Sequence, residues 1–258
     1  MPRRLLPGLL GLLLSLAAQA APVISIIIDD MGDNRARGER ALALPGAVSY
    51  AFLPHTPYAA EQARQAHRLG RDVLLHLPME PQGPAVMGRG GLRQDMSQEE
   101  FLRTLQADLA AVPFVMGINN HMGSLLTQAR RPMQWLMSAL ARQRGLFFVD
   151  SLTTLHSVAG HYAGQYRVPH LRRDVFLDHD KDFDALAHHL QRLLKKARRQ
   201  GRALAIAHPH NETLAFLEQQ IPRLAAQGIR LVPVSQQLAM ENPTWQAFLS
   251  PSPRAVKN

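Results

Sequence analysis

The chain has 258 residues, a formal charge of +9 with histidine neutral, and no cysteine. Disulfides, thiolate ligands and cysteine nucleophiles are thereby excluded, so a metal site would have to use His, Asp, Glu or backbone oxygen. The basic residues are scattered or fall on helical stretches such as 192–202, which read as solvated helix faces without interleaved aromatics; this argues against nucleic acid and leaves anionic envelope polymers or lipid head groups as partners for the charge.

Residues 1–20 read as a signal peptide. Arg3 and Arg4 precede an apolar core over 5–16, and Ala18-Gln19-Ala20 fits a small-x-small cleavage site. The core is too short to span a bilayer comfortably, and an uncleaved N-terminal anchor is the alternative. The pattern predicts export, to the periplasm or as a secreted protein. One domain is expected over 21–241, followed by an extended or disordered tail over 242–258 that contains Pro243, Pro251 and Pro253.

The run 23–28 is rich in isoleucine and stops at Asp29-Asp30, which reads as a buried parallel strand ending in a charged pair. Further strands are expected at 47–52, 72–75, 115–118, 146–149, 168–170, 203–207 and 230–233. Helices are expected at 58–69, 97–111, 132–144, 182–200 and 212–227. The second opens on a capping box from Ser97 to Glu100, and Pro222 interrupts the last. The Gly-rich segment 82–94 reads as a loop over one rim, and 157–165 receives no element. Seven or eight strands alternating with helices, with no dividing linker, predict a single-domain α/β fold, either a barrel or a doubly wound sheet.

The chemistry gathers where these strands end. The first stops at Asp29-Asp30 and the third at His76, with Glu80 four residues on. The fourth stops at Asn119-Asn120-His121 and the fifth at Asp150-Ser151. The sixth region runs on through Arg173 to Asp178, and the seventh stops at His208-Pro209-His210. Parallel strands bring all these ends to one rim, where such folds build active sites. Singly, each residue has an ordinary use. Asp150 and Asp178 suit helix N-caps, Asn119 and Asn120 suit turns, and a lone His suits a hydrogen-bonded loop.

The coincidence of Asp30, His76, His121 and His208 points instead to a divalent transition metal. Zinc fits best, and iron, cobalt or nickel is compatible. With a second carboxylate as base and a His as acid, such a site is hydrolytic. His55, His67, His156, His161, His179, His188 and His189 lack a comparable position and read as surface residues. No Gly-rich phosphate loop follows the first strand, and Ser124 and Ser151 lack a nucleophile-elbow context, so neither a nucleotide cofactor nor a serine nucleophile is expected.

Segments 26–32, 76–81, 117–124, 148–153, 173–178 and 205–213 together resemble the NodB-type polysaccharide deacetylases of carbohydrate esterase family four. They resemble more closely the divergent, YibQ-like branch of bacterial envelope proteins. The resemblance implies a distorted seven-stranded (β/α)7 barrel. It also implies metal-dependent removal of acetyl from an envelope polysaccharide or a peptidoglycan amino sugar, a carbohydrate polymer. It assigns Asp29 as general base, Asp30 as metal ligand and His208 as acid, with His210 as alternate.

Two departures from the family pattern stand out. The His-x-x-x-His-Pro motif reads here His76-Leu77-Pro78-Met79-Glu80-Pro81, so Glu80 holds the second ligand position. The Arg-x-Pro-Tyr segment is replaced by Asn119-Asn120-His121-Met122-Gly123, so His121 can supply the absent imidazole. The expected metal set is Asp30, His76 and His121, with inclusion of Glu80 open. Asp150 is expected to orient a site His, and Asn120 to support the same rim. The departures also admit an inactive envelope protein that binds a glycan or a cell-wall protein partner. A third reading keeps the site but hydrolyses another bond, such as a peptide amide.

Overall fold

A computed structural model of the chain describes residues 21–249 except Arg144. The expected signal peptide and residues 250–258 of the predicted tail lie outside the described residues. Among the described residues nine strands pair in parallel in one sheet: β1 (Val23–Met31), β2 (Ser49–Phe52), β3 (Val73–Met79), β4 (Gly117–Met122), β5 (Phe147–Asp150), β6 (His170–Arg172), β7 (Val175–Phe176), β8 (Arg202–Ala207) and β9 (Arg230–Leu231). The strand order is β6-β5-β4-β3-β2-β1-β8-β7, and β9 joins the first two residues of β1. No ladder joins β6 to β7 among the described residues, so the curled sheet is a distorted barrel left open at that seam.

Around the sheet lie α1 (Arg35–Leu42), α2 (Ala59–Arg68), α3 (Gln98–Ala111), α4 (Arg130–Arg142), α5 (Ala159–Gln165), α6 (Phe183–Gln200), α7 (Asn211–Gln220), α8 (Val234–Glu241) and α9 (Pro243–Leu249). The capping box of α3 forms as expected, with Ser97 and Glu100 each satisfying the other's backbone N–H. α7 ends at Gln220, and Pro222 sits in a 3-10 turn beyond it. Among the described residues no helix is long and apolar enough to cross a membrane.

Strand periodicity sorts the core into two layers. Ile24, Ile26 and Ile28 of β1 pack outward against the helices. Ile27, Leu74, Phe147, Val149, Leu204 and Ile206 fill the inner layer. Gly117 of β4 also faces inward, where a Cβ would come within 2.4 Å of the Phe147 ring, so only glycine fits there. Continuing the inward parity to the strand ends gives Asp29 after Ile27, His76 after Leu74, Asn119 and His121 after Gly117, Ser151 after Val149, and His208 after Ile206. The alternation that builds the core thereby aims one set of polar side chains into the mouth of the barrel.

The structure departs from the sequence expectations in several places. β3 and β4 run on to Met79 and Met122, because polar residues there continue the ladder: His76 pairs with Asn119 and Pro78 with His121. β7, with only two residues, escapes a periodicity search. α1, α5 and α8 form where no element was assigned. Within the segment expected to be extended or disordered from Asn242, residues Pro243–Leu249 form α9. Asn242 accepts the Trp245 backbone N–H at 3.0 Å, and the Trp245 ring is buried edge-on against Phe147 with its Nε1–H on the Ser235 carbonyl.

Candidate active site

Two successive carboxylates on a strand should point to opposite faces, yet Asp29 and Asp30 both reach the mouth. The β1–β2 register slips between Ile28 and Met31, and Asp30 takes a left-handed φ of +52°. Asp tolerates that region better than most residues. The irregularity swings Asp30 back to the side of its neighbour, as β-bulges beside functional sites do.

Asp30 Oδ1 lies 3.2 Å from His76 Nε2 and 3.0 Å from His121 Nδ1, and the two ring nitrogens are 3.2 Å apart. Oδ1 is buried without a satisfied hydrogen bond, despite both nitrogens being so near. Ligand bonds of the usual zinc length place neighbouring donor atoms roughly 3.0–3.4 Å apart. The triangle has that size, and its orphaned oxygen has the character of a ligand atom, so the residues fit a divalent transition metal. Burial alone would raise the Asp30 carboxyl, but the His121 and His76 nitrogens hold it well below the ordinary carboxylate range.

Asn119 ties this triangle to Asp29. Its Nδ2 donates to Asp29 Oδ1 at 2.7 Å, which leaves its Oδ1 to accept from His76 Nδ1 at 2.9 Å. A neutral His76 then carries its proton on Nδ1 and presents the Nε2 lone pair to the triangle. Asp29 is buried, and burial raises its pKa against the pull of His76, His208 and Asn119.

Across the mouth stands His208, its Nε2 3.9 Å from Asp30 Oδ2. Behind it, Asp178 accepts three hydrogen bonds: from His208 Nδ1 at 3.0 Å, from the His208 backbone N–H at 2.7 Å and from the Thr213 hydroxyl at 3.0 Å. Burial would lower the His208 pKa, but Asp178 overrides it and brings it to about 9. Asp178 itself is held low, the bonds from His208 and Thr213 outweighing its burial. Asp178, His208 and His210 are also close enough together to hold a metal. Both Asp178 oxygens and His208 Nδ1 are already committed to one another, however, so this group reads as an acid held by its orienting carboxylate. The Phe176 ring meets His208 edge-on at 5.3 Å. A cleft of about 370 Å³ joins Asp29, His76, His121, Arg173, Phe176 and His208.

Five of the expected site residues thus converge: Asp29, Asp30, His76, His121 and His208. His210 stands beside His208, 5.9 Å between ring centres, and lines a smaller cleft on the far side of Asp30. Burial lowers its pKa. Two expectations need correction. Glu80 is carried past the rim by the longer β3, and its carboxylate accepts the Gln94 backbone N–H at 2.7 Å, away from the triangle. Asp150 follows the inward Val149 and so faces the outer layer, where it accepts from the Leu152 N–H and the Ser157 hydroxyl and orients no His. Asn120 lines the cleft, accepts the Ser151 N–H and donates to the Met122 carbonyl, so it braces the rim without a hydrogen bond to the His residues. The linking role of Asn119 and the orienting roles of Asp178 and Thr213 were not identified. Inward parity on β4 was the available signal for Asn119.

The fold and the rim define the class: an open parallel barrel of the NodB-type deacetylase architecture. The chain belongs to the divergent polysaccharide deacetylase family, whose model matches residues 26–238. It is 38% identical over 214 residues to YibQ of Escherichia coli K12, an uncharacterized protein, covering 81% of this chain and 67% of that one. The uncharacterized protein ATU2773 of Agrobacterium tumefaciens C58 superimposes with a TM-score of 0.81 at 23% identity, over 86% of this chain and 91% of its own. BA3943 of Bacillus anthracis, described as a pseudoenzyme of the CE4 family, superimposes with a TM-score of 0.52 at 14% identity, over 85% and 66%. At these identities the two structures bear on fold alone.

Proposed function

We propose that this protein is a metal-dependent deacetylase of an acetylated amino sugar in an envelope polysaccharide or peptidoglycan. The observation that carries the reading is the Asp30–His76–His121 triangle facing the Asp178-held His208 across one cleft. The family description supports a carbohydrate polymer as substrate. The pattern of residues 1–20 supports work in the periplasm or outside the cell.

Asp30, His76 and His121 would hold the ion, and zinc suits two imidazoles with one carboxylate. When bound, such an ion supplies Lewis acidity and water activation. Asp29, held by Asn119, accepts the proton of the attacking water. Water adds to the acetyl carbon and the C–N bond breaks. His208 donates its Nε2 proton to the departing amine, with Asp178 fixing the ring and balancing its charge. The products are acetate and a free amino sugar. Asn119 keeps the base and a metal-binding imidazole in fixed relation, so neither has to reorganise during the reaction.

The test is metal analysis of the mature chain beside acetate release from N-acetylated oligosaccharides. One equivalent of metal and measurable acetate, both lost in His76→Ala and Asp30→Ala, are expected. Metal without acetate from any glycan would favour an inactive binding protein, a reading encouraged by the pseudoenzyme of similar fold. A chain that takes up no metal when zinc is supplied would sink the catalytic reading.

A further inference from the structure

Arg173 follows β6 in the turn to β7 and enters the cleft with part of its hydrogen-bonding capacity unused. Its Nε donates to the Ser151 carbonyl at 2.6 Å and one Nη to the Leu152 carbonyl at 2.8 Å. A guanidinium carries five N–H groups in a fixed fork, so donors remain after these two bonds. It makes no ion pair among the described residues. The three carboxylates whose charges it feels are Asp29, Asp150 and Asp174.

All three are committed elsewhere. Asp29 is bonded to Asn119 and faces His76. Asp150 is bonded to the Leu152 N–H and the Ser157 hydroxyl. Asp174 is paired with Lys196 and bonded to the Leu204 N–H. Burial lowers the Arg173 pKa, the sign of a charge its surroundings do not fully repay. The guanidinium also lies over the Phe176 ring at 5.1 Å, and Phe176 in turn touches His208. A half-buried cation therefore stands one aromatic ring away from the acid, in the same cleft.

We infer that Arg173 is a specificity-determining residue that binds a carboxylate on the glycan beside the acetylated position, so that the preferred substrate is an acidic amino-sugar polymer. The inference rests on the deacetylase reading and adds the chemical class of its substrate. A carboxylate matches the observed charge better than a phosphate dianion, because one guanidinium balances one negative charge and the rest of the wall supplies no second cation. The rest of that wall is uncharged, formed by Ser151, Leu152, Thr153 and Phe176. The other cation in reach, His208, is turned to Asp30 and Asp178.

The test uses the zinc-loaded mature chain and two N-acetylglucosamine tetrasaccharides, one plain and one with a lactyl carboxylate on alternate sugars. Calorimetry gives the two dissociation constants, and acetate release is followed in parallel. The unaltered protein is expected to bind the acidic ligand at least about tenfold more tightly, the worth of a charge-assisted bond in a sheltered site. Arg173→Met is expected to remove that preference, with affinity for the acidic ligand falling by a larger factor than affinity for the plain one. Arg173→Lys, which keeps the charge but loses the fork, is expected to retain part of the preference. Added salt should narrow the gap in the unaltered protein only.

Equal affinities in the unaltered protein would overturn the inference. So would a preference that survives Arg173→Met, or an equal loss of both ligands in Arg173→Met, which would mark Arg173 as a clamp on the 151–152 loop and nothing more. In each of those cases acetate release from the plain ligand leaves the deacetylase reading standing. Failure of the unaltered protein to bind or deacetylate either ligand would remove both.

Discussion

Two carboxylate–imidazole pairs in this molecule look alike and behave differently. Asp178 faces His208 at 3.0 Å in the barrel mouth, and Asp108 of α3 faces His55 at 2.8 Å beside the 82–94 loop. Both carboxylates are buried. Asp178 is held below its ordinary pKa and its partner rises to about 9, so the pair is ionic near neutral pH. Asp108 is pushed up by burial to about 8. The difference lies in the donors around each carboxylate. Asp178 accepts three hydrogen bonds, whereas Asp108 meets one ring nitrogen and its Oδ2 is left orphaned under Gly90. An imidazole alone does not fix the charge of a buried acid; the surrounding N–H and O–H groups do.

The strongest way to break the comparison is to remove the Asp178 charge. In Asp178→Asn, His208 loses its counter-charge and its pKa is expected to fall back toward the ordinary histidine value. Acetate release at pH 8 should drop at least about 30-fold, the fall in the protonated fraction of His208 between a pKa of about 9 and the ordinary histidine value, and further as the ring loses its fixed orientation, with metal content unchanged. His55→Gln, which breaks the other pair, should leave turnover as it was. Equal losses in the two variants, read from steady-state rates and metal analysis, would show that the pairs do not differ in function. Next in size is the link between base and metal. Asn119→Ala frees the His76 tautomer and strips Asp29 of its donor, so zinc affinity is expected to fall about 10–100-fold. Competition with a chromophoric chelator measures this, and an unchanged affinity would deny Asn119 that role.

How far the sequence carries the site follows from the same contrast. Asp29, Asp30, His76, His121 and His208 are legible because each lies where an apolar run of a strand stops or just past it, so residue type and position coincide. The bulge at Asp30 is not, since nothing in Ile28-Asp29-Asp30 says which carboxylate will be re-aimed. Asp150 reads from its strand end as a partner for a site His, although counting parity from Val149 turns it outward. Asp178 was obscured because its place depends on a two-residue strand and on α7, both long-range outcomes. Asp108 reads as one more polar residue of an amphipathic helix; only the packing of His55 and Gly90 over it shows that it is buried.

Asp108 gives a smaller effect, seen in stability rather than rate. A carboxyl whose folded pKa lies above its unfolded value contributes stability that is complete below about pH 4 and is lost as pH rises through about 8. Asp108→Asn has no proton to lose. Its melting temperature should therefore fall less than that of the unaltered protein between pH 5 and pH 8, with turnover at pH 7 unaffected. Parallel pH–melting curves would show instead that Asp108 does not titrate between those pH values.

The smallest expected change sharpens the first pair rather than breaking it. Thr213→Val removes one of the three donors to Asp178 and keeps the side-chain volume. Loss of a bond to the charged form raises the Asp178 pKa, weakens its hold on the His208 proton and lowers the His208 pKa from about 9. His208 acts as an acid only while protonated, so activity is full below its pKa and is lost as pH rises through it. The alkaline limb of the rate profile should move to lower pH by a fraction of a unit, with the plateau rate nearly unchanged. A limb that stays in place in Thr213→Val would assign it to a group other than His208. A shift without loss of plateau would show the His208 charge being tuned by a hydroxyl that touches neither substrate nor metal.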